Sequence, residues 1–264
     1  MAARARGPIA IAGGGIGGLA CALGLAQRGF EVVVLEQAQA FGEVGVGLQV
    51  APNALAVLDA LGVGDEAKKD ALLIERLVVH DSATGEKFID IPVGEAFCER
   101  FGNPYAVAHR ADIHGALLRG CEASHSVELR TRSRVVDFAA RDDGVIVMLA
   151  SGETVEAAAL VGADGVRSAV RNKVIGDGEP LAAGAYIYRA LIPAADMPKD
   201  EHKPYPTLWV GPGTHAIYYP VRGWSEFNFA ITVLTDSLDK AKAWPSRTRC
   251  SPARPAITTL CCAS

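Results

Sequence analysis

Six residues near the amino terminus, Gly-Gly-Gly-Ile-Gly-Gly at positions 13–18, have the spacing of a turn that brings backbone amides to a phosphate. Gly13 would allow the tight turn, Gly15 would let the backbone approach a pyrophosphate, and Gly18 would let a helix pack closely on a strand. Glu36 follows roughly 20 residues later. A carboxylate there could accept hydrogen bonds from the hydroxyls of an adenosine ribose. The pattern predicts a dinucleotide-binding unit.

The segments around these glycines have the character that such a turn requires. The apolar run 8–12 predicts a buried strand, and apolar residues then recur at helical spacing until Gly29 ends the helix. A second apolar run, at positions 32–35, predicts the next strand. A plain glycine turn is the alternative, but a strand before it and a helix after it favour dinucleotide binding.

The bulk composition excludes several other classes of protein. The 264 residues are 50% hydrophobic, which suffices for one large or two smaller domains. The net charge is −4, and no cluster of basic and aromatic residues suggests a nucleic-acid partner. We expect no membrane span and no secretory signal, and therefore a cytoplasmic protein. The six cysteines lack metal-ligand spacing, so we expect neither a metal site nor a disulfide framework.

Two further segments suggest contact with a ligand. Residues 41–50 read as a loop of alternating glycine and valine, which suggests backbone against a flat ligand, with a flexible linker as the alternative. Arg110 precedes the first turn of a predicted helix, where a cation is unfavourable, so it could serve a ligand phosphate or ring; surface solvation is the alternative. Asp164 follows a predicted strand and lies in the turn before the next helix, which it could cap.

Long β-rich runs begin at about residue 185 and predict a second, mostly antiparallel layer. Within it, His215 and Tyr219 are four residues apart, so on an extended strand both side chains point to one face. An imidazole ordinarily titrates near neutral pH and could take a proton from a ligand, while Tyr219 could orient that ligand by a hydrogen bond. An exposed histidine and a core tyrosine are the alternative.

Three motifs occur together: the glycine motif that continues to Glu36, His-Arg-Ala-Asp-Ile-His at 109–114, and Gly-Ala-Asp-Gly at 162–165 followed by Arg167 and Ser168. In combination they resemble the single-component FAD-dependent aromatic hydroxylases, most of all the branch of 3-hydroxybenzoate 6-hydroxylase and salicylate hydroxylase. The likeness extends from about residue 8 to about residue 240.

The resemblance implies an α/β fold, in which a Rossmann-like FAD-binding domain accompanies a mostly antiparallel β substrate domain. The FAD-binding domain would comprise residues 1–73 and 105–178, and the substrate-binding layer residues 74–104 and 179–242. Residues 243–264 would form an irregular tail.

The family's functional residues carry over to positions in this sequence. Those that would hold FAD are Gly13, Gly15, Ile16, Gly18, Glu36, Gly47, Arg110 and Asp164. His215 and Tyr219 would act on the substrate, since residues 215–220 resemble the family's H-x-x-x-Y-P strand. The resemblance further implies NADH or NADPH as co-substrate, a small aromatic substrate of the 3-hydroxybenzoate or salicylate class, molecular oxygen, and a possible homodimer.

The likeness stops before the family's later G-D-A-A-H segment. After about Lys242 the periodicity ends and Arg, Pro, Ser and Cys predominate, as reading a GC-rich gene in the wrong frame would give. We therefore expect a C-terminally truncated or frameshifted product with a disordered tail. Two alternatives to an active hydroxylase stay open: a catalytically incompetent FAD-binding fragment, and an NAD(H)-dependent oxidoreductase that uses the same first motif.

Overall fold

A computed structural model describes residues 7–42, 45–181 and 183–234 of the chain. The chain divides into two compact units. Unit 1 comprises Met1–Gly45, Ala56–Lys69 and Arg110–Leu181, and unit 2 comprises Val46–Leu55, Asp70–His109 and Ala182–Ser264. The predicted tail, residues 243–264, lies outside the described residues.

The strands are β1 (Ile9–Ala12), β2 (Val32–Leu35), β3 (Gly47–Val50), β4 (Leu72–Ile74), β5 (Arg76–Asp81), β6 (Lys87–Pro92), β7 (Tyr105–His109), β8 (Val127–Arg130), β9 (Val135–Arg141), β10 (Gly144–Leu149), β11 (Thr154–Ala157), β12 (Ala159–Gly162), β13 (Ala185–Pro193), β14 (Thr207–Gly211), β15 (Thr214–Val221) and β16 (Glu226–Leu234). The helices are α1 (Ile16–Ala26), α2 (Pro52–Ala60), α3 (Gly64–Lys68), α4 (Glu95–Phe101), α5 (Arg110–Glu122) and α6 (Ala169–Ile175), with 3-10 turns at Ala194–Asp196 and Lys199–Glu201. In the described ranges, no helix is both long enough and apolar enough to cross a membrane.

Unit 1 is built on a four-stranded parallel sheet in the order β12-β1-β2-β8. The apolar runs of β1 and β2 are almost wholly buried, as parallel strands covered on both faces must be. An antiparallel sheet, β11-β10-β9, packs against them through a core that includes Ala10, Val33, Val147 and Val155. Helix α1 follows β1 directly and brings its amino terminus to the carboxyl end of that strand.

Unit 2 contains a six-stranded sheet in the order β13-β16-β15-β14-β5-β6, antiparallel except where β14 pairs with β5. A small antiparallel sheet, β3-β7-β4, accompanies it. Apolar side chains cover both faces of the large sheet: Tyr219 and Val221 join a cluster with Val107 on one face, and Tyr218 and Phe227 join another on the opposite face. The predicted α/β architecture, with a mostly antiparallel second layer, is confirmed.

The structure corrects several details of the sequence interpretation. The predicted loop at 41–50 is shorter than expected, because Gly47–Val50 is strand β3 and pairs with β7. Val46–Leu55 belongs to unit 2. Strand β8 was not predicted, because Val127–Arg130 is short and only partly buried, with two charged residues among four.

Candidate functional site

The amino terminus of α1 presents unused backbone amides. Gly15 is the N-cap residue and its extended backbone makes no side-chain cap; among the described residues, no acidic side chain lies in the first turn of the helix. The first amides of a helix lack intrahelical acceptors and carry the positive end of the helix dipole. Such an end binds an anion such as a pyrophosphate.

Two glycines shape the turn before this helix. Gly13 has a φ of 102°, and a Cβ there would lie 2.4 Å from the carbonyl oxygen of Ala163. A Cβ on Gly18 would lie 1.9 Å from the carbonyl oxygen of Gly13. Both obstacles are backbone atoms, so only glycine permits this close approach of helix, turn and strand.

Glu36 reaches back to the glycine turn from the carboxyl end of β2. Its Oε2 accepts a hydrogen bond from the Gly14 amide at 2.7 Å, and its Oε1 accepts one from the Ala38 amide at 2.8 Å. A carboxylate offers about four lone-pair sites, so these two bonds leave acceptor capacity for ribose hydroxyls. The carboxylate is thus held beside the turn in a fixed orientation.

His114 anchors the same turn from helix α5. This histidine is 3% exposed, and its Nε2 donates to the carbonyl oxygen of Gly14 at 2.9 Å. The contact ties the His-Arg-Ala-Asp-Ile-His segment to the glycine motif 100 residues away. The sequence analysis gave His114 no role of its own; its place at the end of that motif was the signal that could have found it.

One cavity of about 690 Å³ in unit 1 brings these elements together. Its volume lies within the roughly 300–1,000 Å³ of ordinary cofactor and ligand sites. Six of the eight residues predicted to hold FAD line it: Gly13, Gly15, Ile16, Glu36, Arg110 and Asp164. Gly18 acts by packing rather than by lining the cavity, and Gly47 belongs to unit 2. Arg134 and Arg167 also line the cavity, and the sequence reading did not assign either of them to it.

Asp164 is a capping residue in this arrangement. Its Oδ2 accepts from the amides of Ala169 at 2.7 Å and Val170 at 3.3 Å, at the start of α6. Its Oδ1 accepts from the hydroxyl of Ser168, whose oxygen in turn accepts from the Arg171 amide. The helix-capping alternative is therefore realised, and the same side chain still borders the cavity.

The two residues predicted to act on a substrate lie on β15 in unit 2. His215 is exposed, whereas Tyr219 is 4% exposed. Their side chains share one face, and four residues of extended strand span about 13 Å, so a ligand touching both must lie along the strand. Burial raises the pKa of Tyr219 above its ordinary value, and the nearby charge of Arg189 only partly opposes this. The Tyr219 hydroxyl therefore stays protonated at neutral pH and can donate a hydrogen bond.

Gly47 lies against the ring of Tyr219. A Cβ on Gly47 would be 2.5 Å from the Cε2 of that ring. The Gly47 amide donates to Oδ1 of Asn228 at 2.7 Å. Gly47, Tyr219 and Asn228, called the Gly47 cluster below, thus join strands β3, β15 and β16; the sequence analysis named the first two and missed the third.

The residues of unit 1 fit the pyrophosphate and adenosine ribose of FAD. The first amides of α1 are free of a side-chain cap, Gly13 and Gly18 leave no room for a side chain, and the carboxylate of Glu36 lines the same cavity in a fixed orientation. Comparison with known proteins gives the same result. The family model described as FAD binding domain matches residues 6–197.

The similarity to individual proteins is more specific than the match to the family model. The chain is 46% identical over 224 residues to 3-hydroxybenzoate 6-hydroxylase 1 of Aquipseudomonas alcaligenes, covering 85% of this chain and 57% of that protein. It is 44% identical over 225 residues to 3-hydroxybenzoate 6-hydroxylase of Polaromonas naphthalenivorans, covering 85% and 56%. Among solved structures, HpxO of Klebsiella pneumoniae complexed with FAD and uric acid matches with a TM-score of 0.72 and 27% identity, over 87% of this chain and 57% of that one. The chain therefore spans somewhat more than half the length of the relatives it matches.

Proposed function

The chain belongs to the FAD binding domain family, and from that premise we propose that it supplies the FAD-binding and substrate-binding parts of an aromatic monooxygenase. The proposed substrate is a phenolic benzoate of the 3-hydroxybenzoate or salicylate class, and NADH or NADPH is the proposed co-substrate. Identity of 43–46% to three 3-hydroxybenzoate 6-hydroxylases supports this choice. The observation that carries the proposal is the uncapped start of α1 on one cavity with Glu36.

In this proposal unit 1 binds the dinucleotide part of the cofactor. The first amides of α1 would donate to the pyrophosphate, and Glu36 would accept from the ribose hydroxyls. Arg110, at the edge of the same cavity, would contact the flavin. When bound, FAD would supply the electron transfer from the nicotinamide and the activation of oxygen, which protein side chains cannot provide.

Unit 2 would handle the substrate and its proton. The exposed imidazole of His215 is proposed to accept the proton of the substrate phenol, which raises the electron density of the ring and so favours attack by an electrophilic oxygen. Tyr219 is proposed to orient the ring, and the raised pKa of its hydroxyl supports a role as hydrogen-bond donor rather than as base. Gly47, against Tyr219, is proposed to lie along the flavin ring.

The experiment is to purify the chain, quantify its flavin, and follow nicotinamide oxidation with and without 3-hydroxybenzoate. We expect near-stoichiometric FAD, stimulated oxidation, and a product one oxygen atom heavier than the substrate. FAD binding without stimulated oxidation would favour the incompetent fragment, whereas oxidation without flavin would favour the NAD(H)-dependent oxidoreductase. Folded protein that binds no FAD would overturn the proposal.

His215 has its own test within this assay. His215→Ala should lower the hydroxylation rate by roughly 10²-fold or more, as expected for loss of a general base. The matched control is His125→Ala, which also removes an exposed histidine, but one that lies in unit 1; it should leave the rate unchanged. Equal rates for the two variants would remove His215 from the mechanism.

The possible homodimer and the cytoplasmic location stay proposals. Light scattering on the purified protein would test whether it forms a homodimer.

A further inference from the structure

Asn228 is a buried polar side chain to which the proposed function gives no role. It lies in β16, is 1% exposed, and is the register partner of Tyr219 on β15. Its Oδ1 accepts from the Gly47 amide at 2.7 Å, across 181 residues of sequence. A backbone amide has one hydrogen to donate. The Gly47 amide donates its hydrogen to the Asn228 side chain rather than to the partner strand β7.

The packing around this bond leaves Gly47 little room to move. A Cβ on Gly47 would lie 2.6 Å from the Cβ of Asn228 and 2.7 Å from its Cγ, and 2.5 Å from the Tyr219 ring. The first residue of β3 therefore touches both members of the register pair at van der Waals distance. The hydrogen bond and the two contacts together fix where β3 starts relative to β15.

The chemistry of the asparagine suits this task. A buried amide hydrogen without an acceptor is costly, so an apolar side chain at position 228 would destabilise this start of β3. A carboxylate could accept the same bond but would bring an unpaired charge into a buried place. A neutral amide oxygen supplies the acceptor without the charge.

We propose that Asn228 is a positioning residue that holds the start of β3 at one fixed separation from Tyr219, and thereby sets the distance between the flavin-facing backbone and the hydroxyl that orients the substrate. The inference rests on the proposed function, because the roles of Gly47 and Tyr219 come from it. Asn228 itself touches neither FAD nor substrate in this proposal. It acts through the Gly47 amide.

The test compares Asn228→Leu, which keeps the side-chain size and loses the acceptor, with Asn228→Asp, which keeps an acceptor oxygen. Thr232→Val, another polar-to-apolar change on β16, is the matched control. The first readout is hydrogen exchange of the Gly47 amide without FAD, taken relative to amides of β10 in unit 1. We expect exchange about tenfold faster in Asn228→Leu, a smaller increase in Asn228→Asp, where the acceptor remains but a buried charge is added, and near wild-type exchange in Thr232→Val.

The second readout is the visible spectrum of bound FAD on addition of 3-hydroxybenzoate. In Asn228→Leu we expect FAD to bind within about threefold of the wild-type affinity, because the dinucleotide cavity lies in unit 1, while the substrate-induced spectral change is reduced. Asn228→Asp should restore part of this spectral change, because it keeps the acceptor oxygen. A Gly47 amide as well protected in Asn228→Leu as in the wild type would overturn the inference, as would fast exchange with an undiminished spectral change. Failure of the wild type to bind FAD would instead defeat the proposed function, and the exchange readout still decides whether Asn228 fixes β3.

Discussion

The glycine turn of unit 1 and the Gly47 cluster of unit 2 both depend on a glycine with no room for a side chain, but they meet different obstacles. At Gly18 the obstacle is the carbonyl oxygen of Gly13, five residues earlier in the chain. At Gly47 it is the side chains of Tyr219 and Asn228, from strands more than 170 residues later. The obstacle at Gly18 is a near neighbour in sequence, whereas the obstacle at Gly47 exists only because of the register of paired strands.

This difference sets an order of sensitivity. Backbone atoms held between a strand and a helix cannot move without disrupting both, whereas a side chain can change its rotamer at a smaller cost. The same small substitution should therefore cost more in the glycine turn than in the Gly47 cluster. The predictions below test this order, beginning with the largest effect.

Gly18→Ala should be the most damaging single change. A methyl group there would lie 1.9 Å from a backbone oxygen, so the free energy of unfolding should fall by about 3 kcal/mol or more, and FAD binding should be lost. Urea unfolding followed by circular dichroism and titration with FAD would measure both effects.

Gly24→Ala is the matched control in the same helix. A Cβ on Gly24 would make only an ordinary contact, 3.7 Å from a methyl carbon of Leu61. Because alanine is the better helix former, this variant should gain roughly 0.5–1 kcal/mol. If the two variants changed stability with the same sign, the steric account of the glycine turn would be wrong.

The same contrast explains what the sequence could predict. The glycine motif, the flanking strands and Glu36 lie within residues 8–36, so local periodicity and spacing were enough to find them. In unit 2, local patterns suggested Gly47 and Tyr219 separately, but no local pattern marks Asn228, whose role exists only because β15 pairs with β16 and β3 meets both. Strand β3 was read as a loop for the same reason: the glycines in and before this segment disfavour a strand, and only the pairing with β7 makes Gly47–Val50 one.

Gly47→Ala should cost less than Gly18→Ala. The added methyl group would lie 2.5 Å from a ring carbon of Tyr219, and that ring can shift, so we expect a loss of roughly 2–3 kcal/mol. Gly42→Ala, where a Cβ would meet nothing within 4 Å, is the control and should be close to neutral. Urea unfolding would rank the three variants, and a cost at Gly47 above that at Gly18 would reverse the proposed order.

Alkaline pH should weaken unit 2 through its tyrosines, because all six tyrosines of the chain fall within the ranges of that unit. Burial raises the pKa of Tyr219 above its ordinary 10.0, so its contribution to stability is complete below pH 10 and is lost as the pH rises further. The unfolded chain releases that proton at pH 10, whereas the folded chain retains it. One pH unit higher, the loss from this residue should be about 1.4 kcal/mol, and Tyr219→Phe should abolish it.

Tryptophan fluorescence would follow this loss, since every tryptophan of the chain also falls within the ranges of unit 2. The measurement is the urea midpoint at pH 8 and pH 11 for the wild type and for Tyr219→Phe. A midpoint that fell equally in both proteins would show that Tyr219 does not titrate as its burial requires.

Acid should produce the smallest effect, through Tyr218 on the opposite face of β15. Burial alone would raise the pKa of Glu201, but the hydrogen bonds from Tyr218 and Lys203 outweigh it and hold the pKa below its ordinary 4.5. The stabilisation is therefore present above that value and is lost as the pH falls through the lower pKa of the folded state. Tyr218→Phe should cost about 0.5–1 kcal/mol at pH 7 and progressively less as the pH falls through that lowered pKa, as expected for one hydrogen bond. Tyr219 belongs to the Gly47 cluster, whereas Tyr218 donates to Glu201, so the acid-sensitive loss should disappear in Tyr218→Phe and persist in Tyr219→Phe. Urea midpoints of the two variants that moved together at acid pH would show that the two faces of β15 are coupled.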